Sequence, residues 1–425
     1  MLSIKAVLAK PFARIIYKRI QKWANKPIET QEKLFQDLIS IAASTTFGKD
    51  HDFISINAYS DFIKRVPVRD YEALKPYVEK VVSGQENVLW PGKPIYFAKT
   101  SGTTSGSKYI PITKESMPYH IEAARNAILL YIHETGNSKF VDGKMIFLQG
   151  SPILDVKNGI QLGRLSGIVA HYVPKYLQKN RLPSYKTNCI EDWETKVEAI
   201  VEETLPENMT IISGIPSWVQ MYFEKLQLKT GKKVGDIFKN FNLFIFGGVN
   251  YEPYRAKFEN LIGRKVDSIE LYPASEGFFA FQDKQQEKGM LLQLNSGIFY
   301  EFIKADEFFD ENPIRITIKD YQIISHQRDT TFVDTTLTIQ KDYKYNYLRR
   351  DDFEYMPMSN MGQPYTALGA QLDTKSYMPS IGAKARHFGY QELEDVSYYN
   401  VPTPLTEMMF KTSLEQGQFL DFLLT

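Results

Sequence analysis

A chain of 425 residues is too long for one ordinary core and should build a large lobe and a smaller one. With 43% apolar and 24% charged residues it has the make-up of a soluble globular protein, and 51 basic against 50 acidic side chains exclude a sequence-wide pull towards nucleic acid or anionic lipid. A single cysteine, Cys189, excludes an internal disulfide and a cysteine metal cluster, which fits a reducing cytoplasm.

The first residues, Met1 to Trp23, are basic and partly apolar. Lys5, Lys10, Arg14 and Lys18 break the apolar runs, so a helix packed on the main body is expected there rather than a targeting or membrane-surface segment. Thr30-Gln31-Glu32-Lys33 reads as a capped helix start before the apolar stripe Leu34, Leu38, Ile39, Ile41 and Ala42. From Val88 the texture turns to short strands: Val88-Leu89-Trp90, a turn at Pro91-Gly92-Lys93-Pro94, then Ile95-Tyr96-Phe97-Ala98. A polar loop from Lys99 to Lys108 leads into the extended run Tyr109-Ile110-Pro111-Ile112, and Thr113 is expected to cap a long helix ending near Gly136.

Beyond it, strand-like runs (Met145–Leu148, Thr210–Ile212, Leu243–Phe246, Ser268–Tyr272) alternate with helices such as Pro216–Thr230. That alternation predicts an α/β sheet, with ligand-binding groups on loops at the carboxyl ends of its strands. The second lobe should begin near residue 340, where the pattern loses its regularity. This gives a large lobe over 1–340 and a small one over 341–425.

Three loops carry candidate chemistry. Thr100-Ser101-Gly102-Thr103-Thr104-Ser105-Gly106-Ser107-Lys108 has the composition of a phosphate cradle: glycines that let backbone N–H groups converge on an anion, hydroxyl donors, and a mobile cation. It is not a Walker loop, because three residues rather than four separate Gly102 from Gly106, Tyr109 follows Lys108, and a strand follows the loop. A plain hairpin connection is the competing reading. Ser275-Glu276 offers a hydroxyl and a carboxylate at a strand end, as magnesium and phosphate oxygens require, though a solvated turn has the same composition. Phe246-Gly247-Gly248-Val249 ends a strand where either a flat base or a simple glycine turn fits.

Together these segments resemble the signatures of the Gretchen Hagen acyl acid-amido synthetases, the auxin-responsive promoter family. Thr100 to Lys108 with its flanks is similar to the first signature, and Leu271-Tyr272-Pro273-Ala274-Ser275-Glu276-Gly277 to the second. The likeness extends through Phe47-Gly48-Lys49-Asp50-His51, Arg65–Tyr71, Gly214–Trp218 and Asn295–Glu301. It implies an adenylate-forming enzyme with a large N-terminal lobe of α/β layers and a barrel-like sheet, and a small mobile C-terminal lobe. It further implies a ligase that uses ATP and Mg2+ to turn a small carboxylic acid into an acyl-adenylate, from which an amine, such as that of an amino acid, displaces AMP. Neither nucleic acid nor membrane is an expected partner.

Carried over by the resemblance, Ser101, Gly102, Thr103, Thr104, Ser105, Gly106 and Lys108 hold the ATP phosphates. Tyr272, Ser275 and Glu276 lie beside adenine, the α-phosphate and magnesium, while Gly247 and Gly248 line the adenine side. For the acyl pocket the candidates are the segment Gly163–Ile168 and the helix carrying Trp218 and Met221. Arg164 pairs with the substrate carboxylate or lies at the surface. A third signature is only partly present: Tyr347 and Asp351 keep their places in Tyr345–Tyr355, with Asp351 as the implied ribose ligand, but Arg350 stands where the family has glycine. Two readings of that region stand open: a short, divergent small lobe, or a chain end that departs from an intact relative. The main function reading is an amido synthetase. The alternatives are a nucleotide- or acyl-binding protein with impaired catalysis, and acyl transfer to a thiol.

Overall fold

The computed structural model describes residues 3–100, 108–173, 179–287, 289–304, 307, 310 and 312–320, and the backbone of 347–349. The chain divides into two units. The first comprises Met1–Thr100, Ser107–Glu287 and Leu291–Tyr300; the second comprises Ser101–Gly106, Lys288–Met290 and Glu301–Thr425. The boundary expected near residue 340 lies outside the described residues.

The first unit opens with the helix Ile4–Ala24. Ser3 caps it by accepting the Ala6 N–H, and is itself hydrogen-bonded to the Asp142 carboxylate. Its Ala6, Ala13, Ile16, Ile20 and Ala24 are buried. The next helix runs Pro27–Ala42, so it starts ahead of the expected cap at Thr30. Proline at its first turn needs no N–H there, and the Thr30 hydroxyl instead donates to the Trp23 carbonyl. Its inward face is Gln31, Phe35, Ile39 and Ala42, whereas Ile41 of the expected stripe is exposed.

Val88–Trp90 is not a strand. Its neighbourhood spends its carbonyls on a helix start instead: Asn87 and Val88 accept the N–H groups of Thr46 and Phe47, at 2.8 and 2.9 Å. The first sheet contains β1 (Tyr96–Thr100), β2 (Lys108–Ile112), β4 (Asp155–Lys157) and β5 (Ile160–Gly163), in the order β2-β1-β5-β4. β1 is antiparallel to β2 and parallel to β5. On the outer strand β2, the Tyr109 N–H donates to the Tyr71 hydroxyl at 2.9 Å. The following helix is Met117–Thr135, three residues later than a Thr113 cap implies, because Thr113 and Ser116 first close a reciprocal pair of hydrogen bonds. Gly136, at φ 68°, ends it as expected.

The larger sheet contains β3 (Lys144–Phe147), β6 (Arg181–Leu182), β7 (Met209–Ser213), β8 (Leu243–Gly247), β9 (Asp267–Pro273), β10 (Phe278–Phe281) and β11 (Gly289–Leu292). They are neighbours in the order β11-β10-β9-β8-β7-β3-β6. β6, β3, β7, β8 and β9 are parallel, whereas β10 and β11 run antiparallel to their neighbours. The helices Pro216–Thr230 and Glu252–Ile262 cross over between β7, β8 and β9. An aromatic core joins them, with Tyr222, Phe223, Phe244, Phe246, Tyr251 and Phe258 all buried. Each such ring removes roughly 150–250 Å² from water, which makes this cluster the main anchor of the sheet. Among the described residues no helix is long and apolar enough to cross a membrane.

In the second unit, β12 (Glu301–Phe302) pairs antiparallel with β13 (Ile316–Thr317), and Arg315 meets Glu301 at 3.4 Å. β14 is Tyr347–Arg349.

Candidate active site

Because β3, β7, β8 and β9 are parallel, the segments that follow them emerge at one edge of the sheet. Two of the expected loops meet there. Gly247 pairs with Leu271 at the end of β8 and β9, which sets Gly247-Gly248 beside Tyr272–Glu276. A Cβ on Gly247 would lie 2.4 Å from the Leu271 carbonyl oxygen, so this strand pairing itself requires glycine. Gly248 follows with φ 84°, a conformation that L side chains rarely adopt.

Ser275 and Glu276 form the tip of the β9–β10 hairpin, closed by hydrogen bonds in both directions between Ala274 and Gly277. The tip leaves the Glu276 carboxylate exposed. Tyr272 stands behind it against Phe279, ring centres 5.3 Å apart, and burial together with the Glu276 charge holds its phenol well above the ordinary tyrosine range. No group of three or more His, Cys, Asp or Glu able to hold a metal occurs among the described residues. A single exposed carboxylate fits magnesium only in its usual shared mode, with substrate phosphates and waters supplying the other oxygens.

Lys108 opens β2 and pairs with Thr100 across the ends of the hydroxyl-rich loop; its ammonium lies 5.3 Å from the centre of the Tyr71 ring. Ser101, Gly102, Thr103, Thr104, Ser105 and Gly106 lie outside the described residues, as does Asp351. Arg164 leaves the end of β5, beside β1, as the exposed N-cap of the helix Leu165–Ala170. Its side chain reaches the Gly150 loop after β3, the Arg164 Cδ standing 3.4 Å from where a Gly150 Cβ would be.

Trp218 and Met221 both face another helix. Trp218 packs on Trp193 of the helix Trp193–Thr204, ring centres 4.7 Å apart, and the Trp193 indole N–H donates to the Met221 sulfur at 3.3 Å. Farther along the Trp218 helix, Tyr222 and Leu226 are core.

Sequence reasoning missed a group at the end of β3. Arg181 donates to the Gln149 side-chain oxygen at 2.7 Å and to the Ala170 carbonyl at 3.4 Å, and lies 5.1 Å from the centre of the Phe147 ring. Lys196, buried, donates to the main-chain carbonyls of Gln149 and Asn188. Neither cation has a carboxylate partner among the described residues. Burial pushes Arg181 down to about 10 and also lowers Lys196. The Gln149 amide nitrogen is buried without an acceptor among the described residues. The available signal was Lys196 itself, a lysine next to Val197 and one turn before Ile200 on an otherwise apolar helix face.

Residues 16–189 match the GH3 family N-terminal domain, and residues 317–425 match the model described as putative porin. The chain is 35% identical over 122 residues to a probable indole-3-acetic acid-amido synthetase, GH3.13, of Oryza sativa subsp. japonica, covering 28% of this chain and 24% of that protein. It is 24% identical over 136 residues to the jasmonoyl-L-amino acid synthetase JAR4 of Nicotiana attenuata, covering 31% and 23%. The chain thus spans about a quarter of the length of these curated relatives. Its fold is that of the solved AtGH3.15 acyl acid amido synthetase in complex with 2,4-DB, with a TM-score of 0.59 at 14% identity over 72% of this chain and 63% of that one.

Proposed function

From the GH3 family N-terminal domain that this chain carries at residues 16–189, we propose that the protein is an ATP-dependent acyl acid-amido synthetase of the cytoplasm. It adenylates a small carboxylic acid and passes the acyl group to an amine, foremost that of an amino acid. The observation that best supports this is the register of β8 and β9, which brings Gly247-Gly248 and Tyr272–Glu276 together at the carboxyl edge of a parallel sheet.

The chemistry asks for positioning more than for a base. A carboxylate is already ionised near neutral pH, so its oxygen attacks the α-phosphorus directly and pyrophosphate leaves. The amine nitrogen then attacks the acyl carbon, the bond to AMP breaks, and the nitrogen gives up a proton. In this reading Lys108 neutralises phosphate charge, with Ser101–Gly106 supplying further donors. Ser275 lies at the α-phosphate, Gly247, Gly248 and Tyr272 line adenine, and Asp351 holds the ribose. Glu276 contributes the protein's oxygen to magnesium, and bound magnesium neutralises charge on the phosphates. Arg164 takes the acid carboxylate, and Trp218 and Met221 border the acyl side. The large lobe reaches to about residue 340.

The test is a screen of carboxylic acids and amino acids with ATP and magnesium, reading acid-dependent pyrophosphate exchange, AMP and the conjugate by mass spectrometry. Exchange with some acid, followed by amide formation, is expected; no exchange with any acid overturns the reading. A second reading, adenylation without amide transfer, is favoured by the putative-porin match of residues 317–425, where the resemblance implies the small lobe. Exchange without conjugate would select it.

A further inference from the structure

The helix Ile4–Ala24 is amphipathic in an inverted sense. Its buried face is built largely of small residues, with Ala6, Ala13 and Ala24 beside Ile16 and Ile20. Its large apolar residues point the other way: Ile4 is 79% exposed, Val7 52%, Leu8 61%, Phe12 45% and Ile15 50%. Spaced by three and four, these five form one stripe along the outer surface. A lone exposed leucine needs no explanation, but a contiguous stripe does.

The charge on this helix has one sign. Lys5, Lys10, Arg14, Lys18, Arg19 and Lys22 are all exposed, the helix contains no Asp or Glu, and none of the six cations forms an ion pair among the described residues. The rest of the chain has an excess of acidic groups, since the whole chain with these six cations included reaches a net of only +1. The helix cannot turn its stripe inward, because Ser3 ties its start to Asp142 and Tyr17 stacks on His133 at 4.0 Å.

We propose that the outer face of the Ile4–Ala24 helix docks on an anionic lipid bilayer, lying in the interface with Ile4, Leu8, Phe12 and Ile15 inserted and the lysines and arginines at the headgroups. Charge complementarity selects this occupant. Burying the stripe against a second copy of the chain would bring two sets of unpaired cations together, whereas acidic headgroups neutralise them and acyl chains take the apolar side chains. The body then rides on the bilayer as a peripheral protein, independently of the amido synthetase reading.

The test is co-sedimentation of the full chain with phosphatidylcholine vesicles, with and without phosphatidylserine, at low and high salt. Binding should require phosphatidylserine and weaken with salt. Replacing Leu8→Ser, Phe12→Ser and Ile15→Ser together should lower vesicle partitioning by about tenfold or more, with the melting temperature shifted far less because about half of each side chain is already in water. The charge variant Lys10→Gln, Arg14→Gln, Lys18→Gln should do the same and keeps the test sharp if the serine variant fails to fold. Equal sedimentation with and without phosphatidylserine, or full binding by the charge variant, overturns the proposal. So does a dimer in solution, by light scattering, that the serine substitutions dissociate.

Discussion

Gln31 and Tyr300, 269 residues apart, are joined by a hydrogen bond from the Tyr300 N–H to the Gln31 side-chain oxygen at 2.9 Å. The amide nitrogen of the same glutamine donates to the carbonyls of Leu294 and Ile298, at 2.7 and 3.0 Å. One buried side chain from an early helix thereby fixes the Asn295–Tyr300 segment that follows β11. Gln31→Leu should cost roughly 3 kcal/mol, because it removes three side-chain-to-backbone hydrogen bonds, two of them to the buried Leu294 carbonyl and Tyr300 N–H. Urea unfolding measures it; a change below about 1 kcal/mol would mean the segment finds other partners.

The two proposed phosphate-side residues should separate by mechanism. Lys108→Ala is expected to slow pyrophosphate exchange about a hundredfold, on the order of 3 kcal/mol of transition-state charge stabilisation. Its contact with the Tyr71 ring is worth only about 0.5–1 kcal/mol of folding stability, so melting should shift little. Glu276→Gln should raise the magnesium concentration needed for half-maximal exchange, while leaving the exposed hairpin tip folded. Unchanged exchange in the first, or unchanged magnesium dependence in the second, removes that residue from the site.

Arg181 gives a prediction on substrate affinity. Among the described residues its guanidinium is bonded to neutral groups only, at the same end of β3 as the Gly150 loop that Arg164 overhangs. Arg181→Met should raise KM for the acid about tenfold or more in exchange assays, the loss of a charge-assisted contact. An unchanged KM with a lowered melting temperature would show that the guanidinium serves packing on Phe147 alone.

A pH dependence follows from His120. Burial lowers its pKa to about 4 from an ordinary 6.5, and its Nδ1 has no hydrogen-bond partner among the described residues. Between those values the unfolded chain binds the proton and the folded chain does not. Stability from this group is therefore complete above the unfolded value and is lost as pH falls from about 6.5 towards 4, by at most about 3 kcal/mol. His120→Leu should flatten that part of the curve measured by chemical unfolding; an unchanged slope would assign it to other groups.

What the sequence made legible was what local chemistry decides. Pro216–Thr230 begins with proline, runs on apolar residues at helical spacing and stops at Gly231, whose φ of 69° needs no Cβ, and the structure returns those same ends. The strands at Met209 and Leu243 were readable because sheets covered on both faces show continuous apolar runs. Where distant partners decide, reading failed. Val88 resembles a strand residue but gives its carbonyl to the start of a helix at Thr46, and Gln31 belongs to a buried face only because its partners lie near residue 300. At the site, glycines and hydroxyls marked the loops, whereas Arg181 and Lys196 carry no motif; their meaning lies in the absence of a countercharge, which only packing reveals.

The hydrogen bond from the Tyr109 N–H to the Tyr71 hydroxyl has a protective consequence. β2 is the outer strand of its sheet; its Tyr109 and Pro111, and Thr113 just past its end, share the parity whose amides face away from β1. The first amide is capped by the phenol, proline has none, and the third donates to the Ser116 hydroxyl. Among the described residues from Tyr109 to Thr113 no outward N–H is left for a foreign chain to pair with, so the sheet resists growth by strand addition along this border.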